Sequence, residues 1–346
     1  MRQIFIVLLL SLLGANCTSL HKRSQQPIKN TQAIEASYLS GYKKLSFYDA
    51  QRSKNIDVYA WYPVEESKAW LSPQGPYPWG RIRENAEIKD PRVTRPLIIF
   101  SHGFGTSPEQ YAWLVEPLVA AGYVVITTQH ADFPGPQINH WNRPLDISFM
   151  LTRFLESPLG KHINQNKVGF AGFSLGGMTG ISLAGARMSN IKGVVPTKRH
   201  VLEKRIIDDA SAGLPTWDPE RMKEDYRDNR IKAAFLMAPA WSWVFKKSDL
   251  QNIHIPVLIV AGDSEEVLVS ETNGFWYANN IPKAEFRWIK GAGHFVFLGT
   301  PSCEGRAQVD PHHKWPFLYK DPKGVNRQLV HEQVEKLAIA FFDLNL

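Results

Sequence analysis

The sequence predicts an α/β fold: a mostly parallel, doubly wound sheet with helices on both of its faces. Short apolar runs that end at Gly, Pro or polar residues recur along the chain, and segments with helical periodicity separate them. Hydrophobicity within these runs is continuous rather than alternating, which is typical of strands covered on both faces. The chain has 346 residues, 44% of them hydrophobic, so it can bury the core that such a sheet needs.

The predicted strands and helices alternate from about residue 40 onwards. The first two runs, 43–50 and 56–64, are interpreted as a strand pair joined by a polar turn, and a Pro- and Gly-rich loop follows at 70–80. Six later runs are the predicted strands of the parallel part of the sheet: 95–105, 122–129, 167–174, 231–239, 255–263 and 284–291. The helical patterns cover 108–122, 145–157, 175–188, 270–280 and 326–344.

One segment interrupts this alternation. Residues 187–230 are charged and contain no strand-like apolar run, and they lie between a predicted helix and the next strand. We expect this insertion to form a cap over the carboxyl edge of the sheet. The sequence therefore predicts one α/β domain, 41–346, that carries a cap at about 187–230.

The first 17 residues have the composition of an export signal. Arg2 precedes an apolar run, Ile4–Leu13, which is too short to span a bilayer and fits the hydrophobic region of a secretory signal. Plain cleavage and lipid attachment at Cys17, after an imperfect lipoprotein motif, are both open. Residues 18–40 are polar and lack periodicity, so we interpret them as a flexible arm. We therefore expect a periplasmic or extracellular protein, anchored through Cys17 if the lipoprotein signal is used.

Charge and cysteine content exclude some classes of protein. The net charge is +7, but the basic residues form no Lys/Arg-rich block and no nucleic-acid motif, so nucleic-acid binding is not predicted. Peripheral attraction to an anionic membrane surface remains open. Cys17 and Cys303 are the only cysteines, so no disulfide framework is predicted despite the expected oxidising compartment.

The stretch GFSLGG places Ser174 between Gly172 and Gly176, where a strand-like run gives way to a helical pattern. In a Gly-x-Ser-x-Gly turn between strand and helix the serine sits on a strained backbone, and the glycines leave room for neighbouring elements. The hydroxyl then stands above the sheet beside the N-terminus of the new helix. Such a pentapeptide also occurs as a plain glycine turn, but its strand and helix context favours a nucleophile.

The motif HGFG, residues 102–105, ends an earlier predicted strand. At this place we expect half of an oxyanion hole, in which the backbone N–H of Phe104 joins that of Leu175. By itself the motif is equally consistent with a tight turn. Its pairing with Ser174 favours the oxyanion interpretation.

A nucleophilic serine needs a general base, and the base needs an acid that orients it. Among eleven histidines, His294 follows the last predicted strand behind a Gly-Ala-Gly stretch, where a loop can carry it over Ser174. The acid is expected directly after the strand at 255–263. Three carboxylates are available there: Asp263, Glu265 and Glu266.

Three further features of the sequence bear on its chemistry. The segment HEQVE departs from a zinc motif because Glu335 stands where the second histidine is needed, so no metal is predicted. Asp146 opens a helical pattern and is interpreted as an N-terminal helix cap. Trp241 and Trp243 follow a strand at the carboxyl edge, where they either line a substrate pocket or pack beneath the cap.

The segments FSHGFG, GFSLGG, VLIVAGDSEEV and GAGHFVFL resemble the α/β-hydrolase superfamily, from about residue 42 to the end apart from most of the insertion. Within it the chain is similar to exported serine esterases grouped with dienelactone-hydrolase-like proteins, platelet-activating-factor acetylhydrolases and cutinases. Their pattern of a small residue, an acid, any residue and the catalytic Asp implies Glu265 as the acid. Glu replaces the usual Asp there, so Asp263 remains the alternative.

Two departures limit what the resemblance implies about substrate. Dienelactone hydrolases use a cysteine where this chain has Ser174. The acetylhydrolases take their acid after an earlier strand, where this chain has Ala238 and Ala240. Neither substrate is therefore carried over.

The resemblance implies an exported serine hydrolase that cleaves carboxylic esters through an acyl-enzyme, with Ser174, His294 and Glu265 as its catalytic residues. It implies no metal or organic cofactor. The expected partner is a small-molecule ester, with lipid-derived esters among the candidates, and no protein partner is predicted. An acyltransferase or amidase that uses the same residues, and a non-catalytic binding protein on the same fold, are alternatives that the sequence leaves open.

Overall fold

The computed structural model describes residues 39–65, 75–77, 82–131, 142–190 and 219–346. The predicted export signal with Cys17, most of the predicted arm and most of the predicted cap lie outside these ranges. Parts of the predicted loop at 70–80 lie outside them as well. These interpretations stay predictions.

The described part of the chain contains nine strands: β1 Leu39–Asp49, β2 Lys54–Val64, β3 Ile82–Glu84, β4 Arg95–Ser101, β5 Val124–Thr127, β6 Ile163–Phe173, β7 Ile231–Met237, β8 Val257–Gly262 and β9 Ala284–Ile289. They form a sheet in the order β3-β1-β2-β5-β4-β6-β7-β8-β9. From β5 to β9 all neighbours pair in parallel, whereas β2 pairs antiparallel with β1 and β5. The predicted mostly parallel sheet is confirmed.

The central strands are buried on both faces because their alternate residues enter two separate apolar cores. In β4, Leu97 and Ile99 belong to the first core, while Ile98 and Phe100 belong to the second. Successive side chains of a strand point to opposite faces, so both sets must be apolar when both faces are covered. This explains the continuous apolar runs in the sequence.

The described helices are α1 Ala112–Ala120, α2 Asn142–Glu156, α3 Leu175–Leu183, α4 Pro219–Met222, α5 Lys247–Leu250, α6 Gly274–Asn280, α7 Cys303–Val309 and α8 Arg327–Asn345. Residues of α2, α3 and α6 pack in the first core, and residues of α1 and α8 pack in the second. Helices thus cover both faces, as predicted. None of the helices within the described ranges combines the length and apolar character that crossing a membrane requires.

Asp146 does not cap a helix, so that interpretation was wrong. It lies inside α2, because this helix already includes Asn142. The buried Asp146 carboxylate instead forms ion pairs with Arg52 Nη1 at 2.5 Å and Lys54 Nζ at 2.6 Å, and His130 Nδ1 lies 3.6 Å away. Burial raises the pKa of the Asp146 carboxyl, but His130 and Lys54 outweigh burial, and the net pKa lies below its ordinary value. Asp146 therefore ties α2 to the turn between β1 and β2.

Asp146→Asn is expected to lower the free energy of unfolding by about 3 kcal/mol, because removing one partner of a buried ion pair leaves uncompensated charge. Urea denaturation followed by tryptophan fluorescence measures this loss. The matched control is Asp57→Asn, which breaks a more exposed pair with Lys44 and is expected to cost at most about 1 kcal/mol. Equal losses in the two variants would contradict a buried anchor at Asp146.

Candidate active site

Ser174 stands at the sharp turn between β6 and α3. Its backbone has φ 52° and ψ −113°, a conformation that non-glycine residues rarely adopt. Two hydrogen bonds hold the turn: the Ser174 N–H donates to the Met237 carbonyl at 2.9 Å, and the Ala240 N–H donates to the Ser174 carbonyl at 3.0 Å. The turn is therefore fixed by the end of β7, and the half-buried serine lies above the sheet.

The glycines around Ser174 are required by close packing. A Cβ on Gly176 would overlap the carbonyl oxygen of Ser101 at the end of β4, and a Cβ on Gly172 would lie 2.5 Å from the Gly176 carbonyl oxygen. A Cβ on Gly177 would approach Pro239 to 2.8 Å. The first turn of α3 therefore rests directly on the strand ends, as the Gly-x-Ser-x-Gly pattern predicts.

His294 begins a short 3₁₀ turn, His294–Phe297, after β9. Its Nε2 lies 3.1 Å from Ser174 Oγ, and its Nδ1 lies 2.7 Å from Glu265 Oε1. A carboxylate can only accept, so Nδ1 carries the proton and Nε2 is free to accept from the serine hydroxyl. The side chains of His294 and Glu265 are each 4% exposed. The structure thus brings the predicted serine, histidine and glutamate into one hydrogen-bonded chain.

The three carboxylates after β8 have three different partners. Glu265 contacts the His294 ring, and its Oε2 also accepts the Leu268 N–H at 3.2 Å. Asp263 is exposed and accepts the Gly291 N–H at 2.5 Å, while Glu266 accepts the backbone N–H of His294 at 2.7 Å. The alternative acid, Asp263, therefore shapes the loop, and Glu265 alone of the three faces the imidazole.

The two expected oxyanion donors lie at the carboxyl ends of neighbouring strands. Phe104 follows β4, and Leu175 is the first residue of α3 after β6. The strands pair in parallel with Ser101 opposite Gly172, so both residues come three positions after a matched pair. Leu175 also begins a helix, whose first N–H groups lack partners within the helix. The topology thus brings both residues to the same edge as Ser174.

A second serine–histidine contact lies nearby but is closed to substrate. Ser101 Oγ is 3.0 Å from His130 Nε2, and His130 approaches Asp146. Ser101 is 0% exposed within β4, and its backbone is ordinary extended strand. This arrangement therefore resembles a catalytic chain in composition only.

The turn that carries His294 is held from below by a stacked pair that sequence reasoning missed. The Trp113 Nε1–H donates to the Phe297 carbonyl at 3.1 Å, and the His331 Nε2–H donates to the Val296 carbonyl at 2.7 Å. The Trp113 and His331 rings are parallel, with centroids 3.8 Å apart. In the sequence, His331 is the first residue of the segment HEQVE, which gives no sign of this contact. Within the described ranges no group of three or more His, Cys, Asp or Glu residues is placed to hold a metal ion.

The two candidate pocket tryptophans have different surroundings. Trp241 packs with Ala240, Leu268 and Phe295, the residue that follows His294, in a small apolar cluster. Both tryptophans also pack against the first core, and the Trp243 carbonyl accepts from Asn190 Nδ2 at 2.8 Å. The ring centroids of the two tryptophans are 5.6 Å apart. Trp241 therefore borders the residues around His294, and Trp243 packs beside it against the first core.

The fold and this arrangement at the sheet edge define an α/β hydrolase. The sequence model of the alpha/beta hydrolase family matches residues 98–304, and the chain belongs to that family. The resemblance to this superfamily is confirmed, whereas the narrower likeness to particular esterase groups stays a prediction. No curated protein matches the sequence.

Two solved structures illustrate the shared fold. A ferulic acid esterase from Streptomyces cinnamoneus is 19% identical with a TM-score of 0.61, and the match covers 91% of this chain and 92% of that one. Thermogutta terrifontis esterase 2, phosphonylated by cyclosarin, is 13% identical with a TM-score of 0.51, covering 88% and 94% respectively. At these identities the likeness shows the fold.

The buried His331 beneath the His294 turn makes the free energy of unfolding depend on pH. Burial lowers the pKa of His331 to about 4, below its ordinary value of 6.5. The unfolded chain therefore binds this proton at higher pH than the folded chain, so the stability that His331 contributes is complete above pH 6.5 and is lost as the pH falls towards 4. Glu335 gives the opposite slope, because burial raises its pKa to about 7.

The difference between the wild-type protein and His331→Gln isolates the effect of His331, since Glu335 is present in both. Gln keeps an N–H donor but does not titrate. The stability advantage of the wild type over the variant is expected to shrink by about 1.4 kcal/mol per pH unit between pH 6.5 and 4. Guanidinium unfolding at several pH values measures this difference. A constant difference across the range would show that His331 is not a buried neutral donor.

Proposed function

We propose that this protein is a serine hydrolase that cleaves carboxylic esters through an acyl-enzyme intermediate. The observation that carries the proposal is the hydrogen-bonded chain from Ser174 Oγ through His294 to Glu265, with distances of 3.1 and 2.7 Å. A nucleophile within reach of a base, and a base oriented by a third group, is the arrangement that acyl transfer requires.

In the first half of the reaction Ser174 Oγ attacks the ester carbonyl carbon. His294 Nε2 accepts the hydroxyl proton as the Oγ–C bond forms, and the carbonyl oxygen becomes an oxyanion. Glu265 keeps the proton on Nδ1 and stabilises the imidazolium that results. His294 then gives the proton to the alcohol oxygen as the C–O bond breaks, which leaves the acyl-enzyme.

In this mechanism the backbone N–H groups of Phe104 and Leu175 bind the oxyanion. Each donor of this kind is worth about 10²–10³ in kcat when deleted from a comparable site. Water then attacks the acyl-enzyme with His294 as base, and Ser174 is released with a free carboxylic acid. Each step uses groups of this chain and water.

The substrate proposed is a small-molecule ester with an apolar acyl or aromatic portion. Trp241 and Phe295 supply an apolar surface next to His294. The two structural relatives are both esterases by name, which supports ester cleavage over other acyl transfers. The apolar signal Ile4–Leu13 supports action outside the cytoplasm.

Ser174→Ala is expected to lower kcat on p-nitrophenyl esters by about 10⁴-fold or more, because the variant lacks the oxygen that forms the acyl-enzyme in the proposed mechanism. The fold should persist, since a half-buried hydroxyl at the turn contributes little to the core. The matched control is Ser46→Ala, an exposed serine on β1, which should keep wild-type turnover. Turnover measured with esters from acetate to palmitate tests the proposal and its chain-length preference. Substantial turnover by the Ser174 variant would disprove it.

Replacing each of the two candidate acids by its amide gives a matched pair of variants. Glu265→Gln is expected to reduce kcat by about 10⁴-fold, because the amide no longer holds the imidazole in its working tautomer. Asp263→Asn should change kcat only slightly, since the Asn oxygen can still accept the Gly291 N–H. Steady-state kinetics of both variants shows which carboxylate is the acid. A severe loss in Asp263→Asn with a mild one in Glu265→Gln would shift the acid to Asp263.

A further inference from the structure

The loop that carries Phe104 is held by a buried arginine from another element. Arg143 lies in the first turn of α2, and its side chain is buried. Its Nη1 donates to the His102 carbonyl at 2.6 Å, and its Nη2 donates to the Gly103 carbonyl at 3.3 Å. Burying a guanidinium costs free energy unless its N–H groups are hydrogen-bonded. These two hydrogen bonds therefore offset the burial of Arg143 and at the same time hold the loop.

The Gly103 carbonyl oxygen is the centre of this contact. Besides Arg143 Nη2, it accepts from the Thr106 hydroxyl at 3.0 Å and from the His102 ring at 2.7 Å. The His102 tautomer follows from its other nitrogen: Nε2 lies 2.9 Å from the backbone N–H of His130, which can only donate. His102 is therefore neutral with its proton on Nδ1, and that proton points at the Gly103 carbonyl.

Fixing this carbonyl also fixes the neighbouring N–H. The C=O of Gly103 and the N–H of Phe104 belong to the same planar peptide group, and in a trans peptide they point in opposite directions. Three side-chain donors at the carbonyl edge of this peptide therefore determine the direction of the Phe104 N–H at the opposite edge. A rotation of this peptide would break all three contacts together.

We propose that Arg143 is a positioning residue that locks the Gly103–Phe104 peptide so that its N–H is preset as an oxyanion donor. The inference rests on the proposed function, in which the Phe104 N–H binds the oxyanion. The chemistry favours arginine, because its planar fork donates to two successive carbonyls at once. Asp146, one turn further along α2, anchors the same helix to Arg52 and Lys54.

The test compares Arg143→Met, Arg143→Lys and the control Arg153→Met by steady-state kinetics on a p-nitrophenyl ester. Arg153 lies on the same helix and is paired with Glu156 at the surface, so its variant should keep wild-type kinetics. Arg143→Met is expected to lower kcat by about 10- to 100-fold with little change in KM, because a donor displaced by about 1 Å loses transition-state binding. Arg143→Lys should recover only part of the loss, since a flexible ammonium cannot reproduce the fork.

A trifluoromethyl ketone provides a second readout that a merely structural role would not move. Ser174 Oγ adds to its carbonyl, the ketone oxygen becomes an oxyanion, and the serine proton moves to His294. The inhibition constant in Arg143→Met should therefore rise by a factor similar to the fall in kcat, while the inhibition constant of the product acid changes little. If Arg143→Met does not fold, Thr106→Val removes another donor to the Gly103 carbonyl and should lower kcat several-fold, about 3- to 10-fold, with the same pattern.

The outcomes separate this inference from the proposed function. A folded Arg143→Met protein with wild-type kcat, or with a loss in KM alone, overturns the lock while Ser174→Ala still reports a serine hydrolase. Unchanged affinity for the trifluoromethyl ketone also overturns it. A wild-type protein that neither cleaves esters nor binds the ketone overturns the proposed function, and the catalytic meaning of the lock falls with it.

Discussion

The candidate site depends on the backbone of Ser174, which holds a positive φ that costs about 1–3 kcal/mol and persists only where neighbours over-determine it. The ends of the adjacent strands provide that constraint. Met237 accepts the Ser174 N–H, Ala240 donates to its carbonyl, and Gly176 lets α3 rest on the Ser101 carbonyl. The same constraint brings the Ser174 hydroxyl and the first N–H groups of α3 close together above the sheet.

The His294 turn and the loop after β4 are held beside Ser174 by hydrogen bonds to their own backbones. His294 is held through its ring by Glu265 and through its N–H by Glu266, while Trp113 and His331 bind the carbonyls of its turn. The loop after β4 is held through its carbonyls in a comparable way. Each reactive group is therefore fixed by hydrogen bonds to its main chain, which is the preorganisation that electrostatic stabilisation of a transition state requires.

The sheet, the serine turn and His294 could be predicted because each depends on a local pattern: continuous apolar runs, paired glycines and a histidine behind a glycine loop. The acid could not be chosen from local pattern alone, because Asp263, Glu265 and Glu266 share one loop whose conformation decides which carboxylate meets His294. Only the resemblance to the esterases implied Glu265. Asp146 was misassigned because its ion-pair partners lie on other elements. Arg143 and His331 had no local signal, since their partners are backbone carbonyls 41 and 35 residues away.

Reaction with a fluorophosphonate, followed by peptide mass spectrometry, tests whether Ser174 is a reactive nucleophile. Ser174 Oγ should displace fluoride and form a bond to phosphorus, because in the proposed mechanism His294, whose Nε2 lies 3.1 Å away, accepts its proton. Ser101 also contacts a histidine but is fully buried, so it serves as an internal control. We expect a single adduct on the peptide that contains Ser174 and none in Ser174→Ala. An unmodified Ser174, or an adduct that persists in the variant, would contradict it.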